Sequence, residues 1–271
     1  MAISAGTPWI LYGTAWKEDA TEACVRLALE AGFRGFDTAN QRKHYLEAGV
    51  GAALGPFIAA HGRESVFVQT KFTYVRGQDH RLPYDPKSPP AEQVRQSFAR
   101  SLEHLGVGEI DSYVLHGPER GSGISEADRE VWSAMEQLVR GGRVRHLGIS
   151  NLSAEQLREL VCAVRTPPSF VQNRCYARDG WDAEVRAVCR ANGIVYQGFS
   201  LLTANRAVWE GAELAAIAKR HGATPAQIVF AFARTLGMLP LSGTRDAEHM
   251  REDLAAERIE LDPAELRALG G

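Results

Sequence analysis

Paired cysteines are missing from this chain. The four cysteines stand at 24, 162, 175 and 189, with no C-x-x-C among them. That speaks against a disulfide framework and fits free thiols in a reducing compartment. No pair of His or Cys residues has zinc-site spacing, so no metal is expected. Charge of one sign is scarce too: 31 basic against 33 acidic residues leave a net charge of −2 and a pI of about 6.5. The electrostatic case for a nucleic-acid partner or an anionic membrane surface is therefore absent. No apolar run reaches membrane-spanning length. The opening Met1-Ala2-Ile3-Ser4-Ala5-Gly6 has no basic patch ahead of an apolar core, so no secretory signal is expected and the cytoplasm is the expected location. Sequence repeats, low-complexity tracts, a Walker A loop and a G-x-S-x-G elbow are all lacking. The stretch Gly49-Val50-Gly51-Ala52-Ala53-Leu54-Gly55 looks like a dinucleotide fingerprint. It has one residue too many before its last glycine and follows no strand, so it reads as helix and turn.

What is present is ordinary globular composition, 45% hydrophobic and 24% charged, over 271 residues. That length buries a sizeable core unaided, and the chain reads as a single domain over 1–271. Short apolar runs alternate with stretches of helical period. Strands are expected at Trp9–Gly13, Arg34–Asp37, Val66–Lys71, Ile110–His116, Val144–Ile149, Ser169–Asn173, Ile194–Phe199 and Met238–Leu241. Helices are expected at Lys17–Ala31, Pro90–Leu105, Ser125–Val139, Ser153–Val164, Trp181–Asn192, Glu213–His221, from Thr224 through Leu236, from about Asp246, and at Pro263–Leu269. Gly32, Gly106 and Gly222 act as helix stops, Ser153 with Gln156 forms a capping box, and Pro225 suits a first helical position. About eight strand–helix units imply a parallel sheet covered by helices. A closed (β/α)8 barrel and an open doubly wound sheet both satisfy that pattern, and even spacing over this length favours the barrel.

In such a barrel the active site lies at the carboxyl ends of the strands. Three consecutive strands end there in an ionisable residue: Asp37, Lys71 and His116. Each alone has a bland reading, as a turn or cap residue, a solvated lysine, or a structural histidine. Their convergence on one mouth marks a candidate functional site.

At this point the residues resemble the aldo-keto reductase family. The matching pieces fall in family order: Gly13-Thr14, Phe36-Asp37-Thr38-Ala39, Glu47 with Val50-Gly51, Thr70-Lys71, Ser101-Leu102 through Leu115-His116, and Gly148-Ile149-Ser150-Asn151. The resemblance implies the barrel, a nicotinamide dinucleotide (NADPH more often than NADH), and hydride transfer to a small-molecule carbonyl. It assigns the general acid to a tyrosine after Asp37. Relatives read D-T-A-x-x-Y, whereas this chain runs Asp37-Thr38-Ala39-Asn40-Gln41-Arg42-Lys43-His44-Tyr45-Leu46-Glu47. A three-residue loop extension makes Tyr45 the acid; counting back from Glu47 selects His44. Lys71 is then the ammonium that draws the phenol's pKa down, Asp37 keeps it charged, and His116 orients the carbonyl.

The resemblance carries over the cofactor side in the same way. Gly13 and Thr14 open the site. Ser150, Asn151 and Asn173 should bind the carboxamide, Asn173 standing where relatives have glutamine. Phe199 should stack on the nicotinamide in place of a tyrosine, with Ser200 and Leu202 beside it. Gly243, Thr244 and Arg245 match the phosphate turn, where Gly243 replaces a lysine and Arg245 is the candidate 2′-phosphate ligand. His249, Glu252 and Asp253 fall at the adenosine end. The segment Leu201–Trp209 is placed over the cofactor. The long stretch Phe72–Pro90, with Tyr74, Arg76, His80, Arg81 and Tyr84, either shapes the substrate pocket or forms a solvated rim. Three activities follow: an NADPH-dependent carbonyl reductase, an NADPH-binding sensor with little turnover, or an alcohol dehydrogenase working in reverse. A monomer or weak homo-oligomer is expected.

Overall fold

The computed structural model describes residues 6–270. Residues 1–5 and 271 lie outside it, and with them the N-terminal reading on a secretory signal. Eight strands run β1 Leu11–Gly13, β2 Gly35–Asp37, β3 Phe67–Phe72, β4 Ile110–Leu115, β5 Val144–Ser150, β6 Phe170–Arg174, β7 Val195–Phe199 and β8 Met238–Ser242. They pair in sequence order as a closed barrel, all parallel, and β1 meets β8 through Leu11↔Leu241 and Tyr12↔Ser242. Closure excludes the open sheet.

The helices are α1 Thr21–Ala31, α2 Glu47–His61, α3 Pro90–Leu105, α4 Glu126–Arg140, α5 Ala154–Ala163, α6 Ala183–Ala191, α7 Arg206–Trp209, α8 Ala212–His221, α9 Pro225–Thr235, α10 Ala247–Ala255 and α11 Pro263–Ala268. Their ends follow local chemistry. α1 and α3 stop at Gly32 (φ 117°) and Gly106 (φ 67°), left-handed positions that favour glycine. Ser125, Ser153 and Thr224 close capping boxes with Asp128, Gln156 and Gln227. The fingerprint look-alike lies inside α2. A Cβ on Gly51 would come within 2.2 Å of the His104 carbonyl, so that glycine lets α2 press against α3. No helix among the described residues is long and apolar enough to cross a membrane.

Alternation along the strands sends one set of side chains out to the helices and the other into the barrel. The outward set, with Tyr12, Phe36, Val68 and Tyr113 among it, joins the large core beneath the helices. The inward set is stacked in layers. Leu11, Phe67, Phe170 and Leu239 form an apolar plug, against which Val195 and Leu241 pack. A second inward set is polar: Asp37, Gln69, Gln172 and Gln197, each at most 3% exposed. Gln69 Nε2 donates to Asp37 Oδ1 (2.7 Å) and Gln197 Oε1 (2.8 Å), and Gln172 Nε2 donates to the same two oxygens at 3.0 Å each. Gln197 Nε2 returns a bond to Gln69 Oε1 at 3.0 Å. Buried polar groups are tolerable when paired in this way.

Candidate active site

Asp37 ends β2 facing inward, and Lys71 reaches it from β3. Lys71 Nζ donates to both Asp37 carboxylate oxygens at 2.7 Å and to the Thr38 carbonyl at 2.8 Å. Those three acceptors use all three ammonium hydrogens. Burial pulls the ammonium below its ordinary value, and the Asp37 charge opposes that.

The extended loop after Asp37 folds as a turn. The N–H groups of His44 and Tyr45 both donate to the Gln41 carbonyl, at 3.1 and 3.0 Å. This turn sends the two side chains different ways. The His44 ring packs against Trp16, tilted by 36°, at 3.8 Å between ring centroids, out at the mouth. Tyr45 turns inward: Lys71 Nζ is 5.1 Å from its ring centroid, and the His116 ring meets it edge-on at 5.9 Å. Burial first, then the Asp37 charge, holds the Tyr45 phenol protonated well above its ordinary range. The sequence reading had Lys71 drawing that phenol down. With its hydrogens committed to Asp37 and Thr38, the ammonium acts on the tyrosine through space alone.

His116 follows β4. Burial, the Lys71 charge and then His44 push its pKa down to about 3, so the ring is neutral at ordinary pH. Its Nδ1 lies 2.7 Å from Thr73 Oγ1. Asp37, Tyr45 and His116 all face one cavity of about 660 Å³.

That cavity runs from the barrel mouth over β7 and β8 to α9 and α10. Of the residues expected at a cofactor, it is lined by Gly13, Ser150, Asn151, Phe199, Ser200, Leu202, Gly243, Thr244, His249, Glu252 and Asp253. Lys71 and Thr14 stand behind the lining. Thr14 Oγ1 and its N–H both donate to the Asp37 carbonyl, which fixes the end of β2. Asn173 is placed elsewhere. Its amide is taken by the Leu152 backbone and by Asp182 Oδ2 (2.9 Å). Neighbours on a strand face opposite ways, so with Gln172 in the barrel Asn173 points out. Gln172 lines the cavity instead. Both its amide hydrogens are spent, on Asp37 and Gln197, so its side chain can offer a ligand only its carbonyl oxygen. Arg245 is exposed outside the lining and donates through Nη2 to the Trp16 carbonyl.

Lys17 and Trp16 were not read from sequence as contributors. Lys17, taken for the start of a helix, is buried, and its Nζ donates to the Gly243 carbonyl at 2.8 Å; burial lowers its pKa to about 8. Trp16 stands 63% exposed at the mouth with a left-handed φ of 62°. Burial raises Asp253 to about 6 against the opposing bond from Ser242 Oγ (2.5 Å). Trp209 of α7, Thr224 at the cap of α9, and Pro225, Ala226 and Phe230 of α9 close the far wall. None of residues 72–90 lines the cavity. That long segment is pinned instead to neighbouring structure, Tyr74 Oη to Asp128 at 2.9 Å and Arg76 to the Pro118 carbonyl.

Known proteins with the same layout exist. A family model described as "Aldo/keto reductase family" matches residues 2–270. An aldo-keto reductase of Mycolicibacterium vanbaalenii is 30% identical, covering 97% of this chain and 88% of the relative. The glyoxal reductase of Bacillus subtilis is 28% identical, over 82% of this chain and 73% of that protein. Among solved structures, an aldo-keto reductase from a Medee basin deep-sea metagenome library superposes with a TM-score of 0.83 at 23% identity, covering 97% of this chain and 90% of that one. A Bombyx mori aldo-keto reductase in complex with NADP gives 0.80 at 22% identity, with 97% and 88% covered.

Proposed function

Because this chain belongs to the aldo/keto reductase family and is an oxidoreductase of that family, we propose that it reduces an aldehyde or ketone to an alcohol with NADPH, Tyr45 giving the proton. The observation that carries this reading is the approach of Tyr45 to both Lys71 and His116 at the cavity wall. The glyoxal reductase among the relatives fits an aldehyde-type substrate.

The residues present suit a nicotinamide dinucleotide. The carbonyl oxygens of Gln172 and Asn151 are acceptors matched to a carboxamide NH₂, since the Asn151 amide donates to the His116 carbonyl (2.8 Å). Ser150 lies beside them, its hydroxyl donating to the Gln172 backbone carbonyl (2.6 Å). Phe199 offers a π face, flanked by Ser200 and Leu202. Gly243 and Thr244 form the turn before α10, and Arg245 keeps further N–H donors for a 2′-phosphate. His249, Glu252 and Asp253 would meet the adenosine end. When bound, the dinucleotide supplies a hydride with its electron pair to the carbonyl carbon.

The chain's residues manage the oxygen. His116 donates to it and steadies the developing negative charge. The Tyr45 hydroxyl gives up its proton to that oxygen, completing the alcohol. The phenolate left behind is stabilised by the Lys71 charge until water reprotonates it. Asp37 prevents Lys71 from shedding its own proton in this dry site. Free cysteines, buried at 24, 175 and 189 and exposed at 162, suit a cytoplasmic enzyme. We place it there, acting alone or as a weak homo-oligomer.

Tyr45→Phe tests the role. We expect kcat for any responsive carbonyl to fall about 10²–10⁴-fold, with NADPH affinity, read by cofactor fluorescence, within about twofold of wild type. Unchanged turnover would remove Tyr45 from the reaction.

A further inference from the structure

His116 is held at three points. Its N–H donates to the Phe72 carbonyl at 2.9 Å, its carbonyl accepts from Asn151, and its ring Nδ1 meets Thr73 Oγ1 at 2.7 Å. The first two fix where the residue sits. Only the third bears on where its proton sits. A neutral imidazole carries one N–H, and the bond made at one nitrogen sets the role of the other.

Thr73 stands just after β3 and is 5% exposed. Among the described residues the only partner of its hydroxyl is His116 Nδ1. If Nδ1 carried the ring proton, the hydroxyl would have to accept, and its own hydrogen would be stranded without an acceptor in a buried place. If the hydroxyl donates, both groups are satisfied and the ring proton lies on Nε2. We infer that Thr73 is a positioning residue: by donating to Nδ1 it holds His116 as the Nε2–H tautomer, the form able to donate to a carbonyl oxygen in the cavity. With the ring pKa so far below neutrality, the choice of tautomer decides whether His116 is donor or acceptor.

Thr73 is itself clamped. Its carbonyl accepts from Tyr84 Oη at 2.7 Å and from Gln78 Nε2 at 3.3 Å. Gln78 Nε2 also holds the Asn40 carbonyl at 2.8 Å, next to the turn that carries Tyr45. Both clamps come from the long segment between β3 and α3. That segment therefore acts on the site from behind, through Thr73, and takes no part in the cavity wall.

The consequence for turnover rests on the reductase reading; the tautomer is a property of the free protein. The two are tested separately on the full chain. Long-range ¹H–¹⁵N correlation spectra of ¹⁵N-histidine protein, with His116 assigned by its loss in H116Q, read the proton position. Wild type and T73S should show Nε2 protonated and Nδ1 bare. T73V should lose the lock, its two ¹⁵N shifts moving toward each other as both tautomers populate. On a carbonyl that wild type reduces, T73V should lower kcat by about tenfold or more, up to the ~10²–10³ ceiling for losing an oxyanion donor. KM should change by less than about threefold, and T73S should restore kcat. Protonated Nδ1 in wild type, or an unchanged tautomer in T73V, overturns the lock. A shifted tautomer with unchanged kcat overturns its part in turnover. Should T73V fail to fold, the wild-type spectrum alone decides the lock. Absence of turnover in wild type would count against the reductase reading and leave the spectra to settle Thr73.

Discussion

Lys71 has no exposed side-chain surface, and its partner Asp37 is 3% exposed. An ammonium so placed survives only if its hydrogens are all used, and they are. Asp37 in turn accepts from the Gln69 and Gln172 amides, so the pair belongs to a network that reaches across the barrel. Lys71→Met would leave that carboxylate buried without its counter-charge. We expect a loss of about 3–5 kcal/mol in unfolding free energy, and a fall in carbonyl turnover of at least ~10². Denaturant titration and steady-state rates check both; turnover equal to wild type would show that the ammonium has no part in the chemistry. Asp37, Lys71 and His116 were legible in the sequence because each ends an apolar strand, and strand ends of a barrel share one face. Tyr45 was legible only through the family's pattern, since a turn of irregular backbone decides whether it or His44 faces inward. Gln172 was passed over for Asn173 because motif matching ignores the alternation that allows only one of two neighbours into a barrel. The bond between Thr73 and His116 joins two strands' ends, and no spacing in the sequence announces it.

At the scale of elements, helix ends were the most readable features, because capping boxes and left-handed glycines act within a few residues. The start of α1 was not. Lys17 heads no helix: Trp16 and Glu18 both take left-handed φ values, 62° and 49°, and a short 3-10 turn at Glu18–Ala20 precedes the helix. That departure frees Lys17 to reach back to Gly243. α9 shows an element serving fold and site together. Thr224 caps it, accepting from the Gln227 N–H at 3.3 Å, and Thr224, Pro225 and Ala226 line the far cavity wall. Thr224→Ala is expected to cost about 1 kcal/mol of stability and to weaken NADPH binding a few-fold through fraying of that wall. Thermal unfolding and fluorescence titration measure the two. Full stability with unchanged affinity would mean the cap is dispensable to both.

The whole molecule adds what neither residue nor element contains. Alternating strands and helices fit a barrel and an open sheet alike; closure lives in the pairing of β1 with β8, the first strand with the last. Only closure brings Gly13 beside Gly243 and Asp37 within reach of Gln172, so that one cavity extends from Tyr45 to Asp253. The barrel's polar inner layer also arises only at this scale, from four strands that are each unremarkable alone. On the proposed reading, binding and chemistry share a single channel, with the adenosine end between α9 and α10 and the proton donor at the axis. We propose that this channel takes NADPH and passes its hydride to a carbonyl. The most direct measurement is to titrate the purified protein with NADPH by cofactor fluorescence, then follow loss of cofactor absorbance across a panel of aldehydes and ketones. Saturable binding, with absorbance loss that depends on the carbonyl and is abolished in Tyr45→Phe, is the predicted result. Saturable binding with no turnover of any carbonyl would contradict the assignment of Tyr45 as acid, and binding of neither NADPH nor NADH would contradict the cofactor site itself.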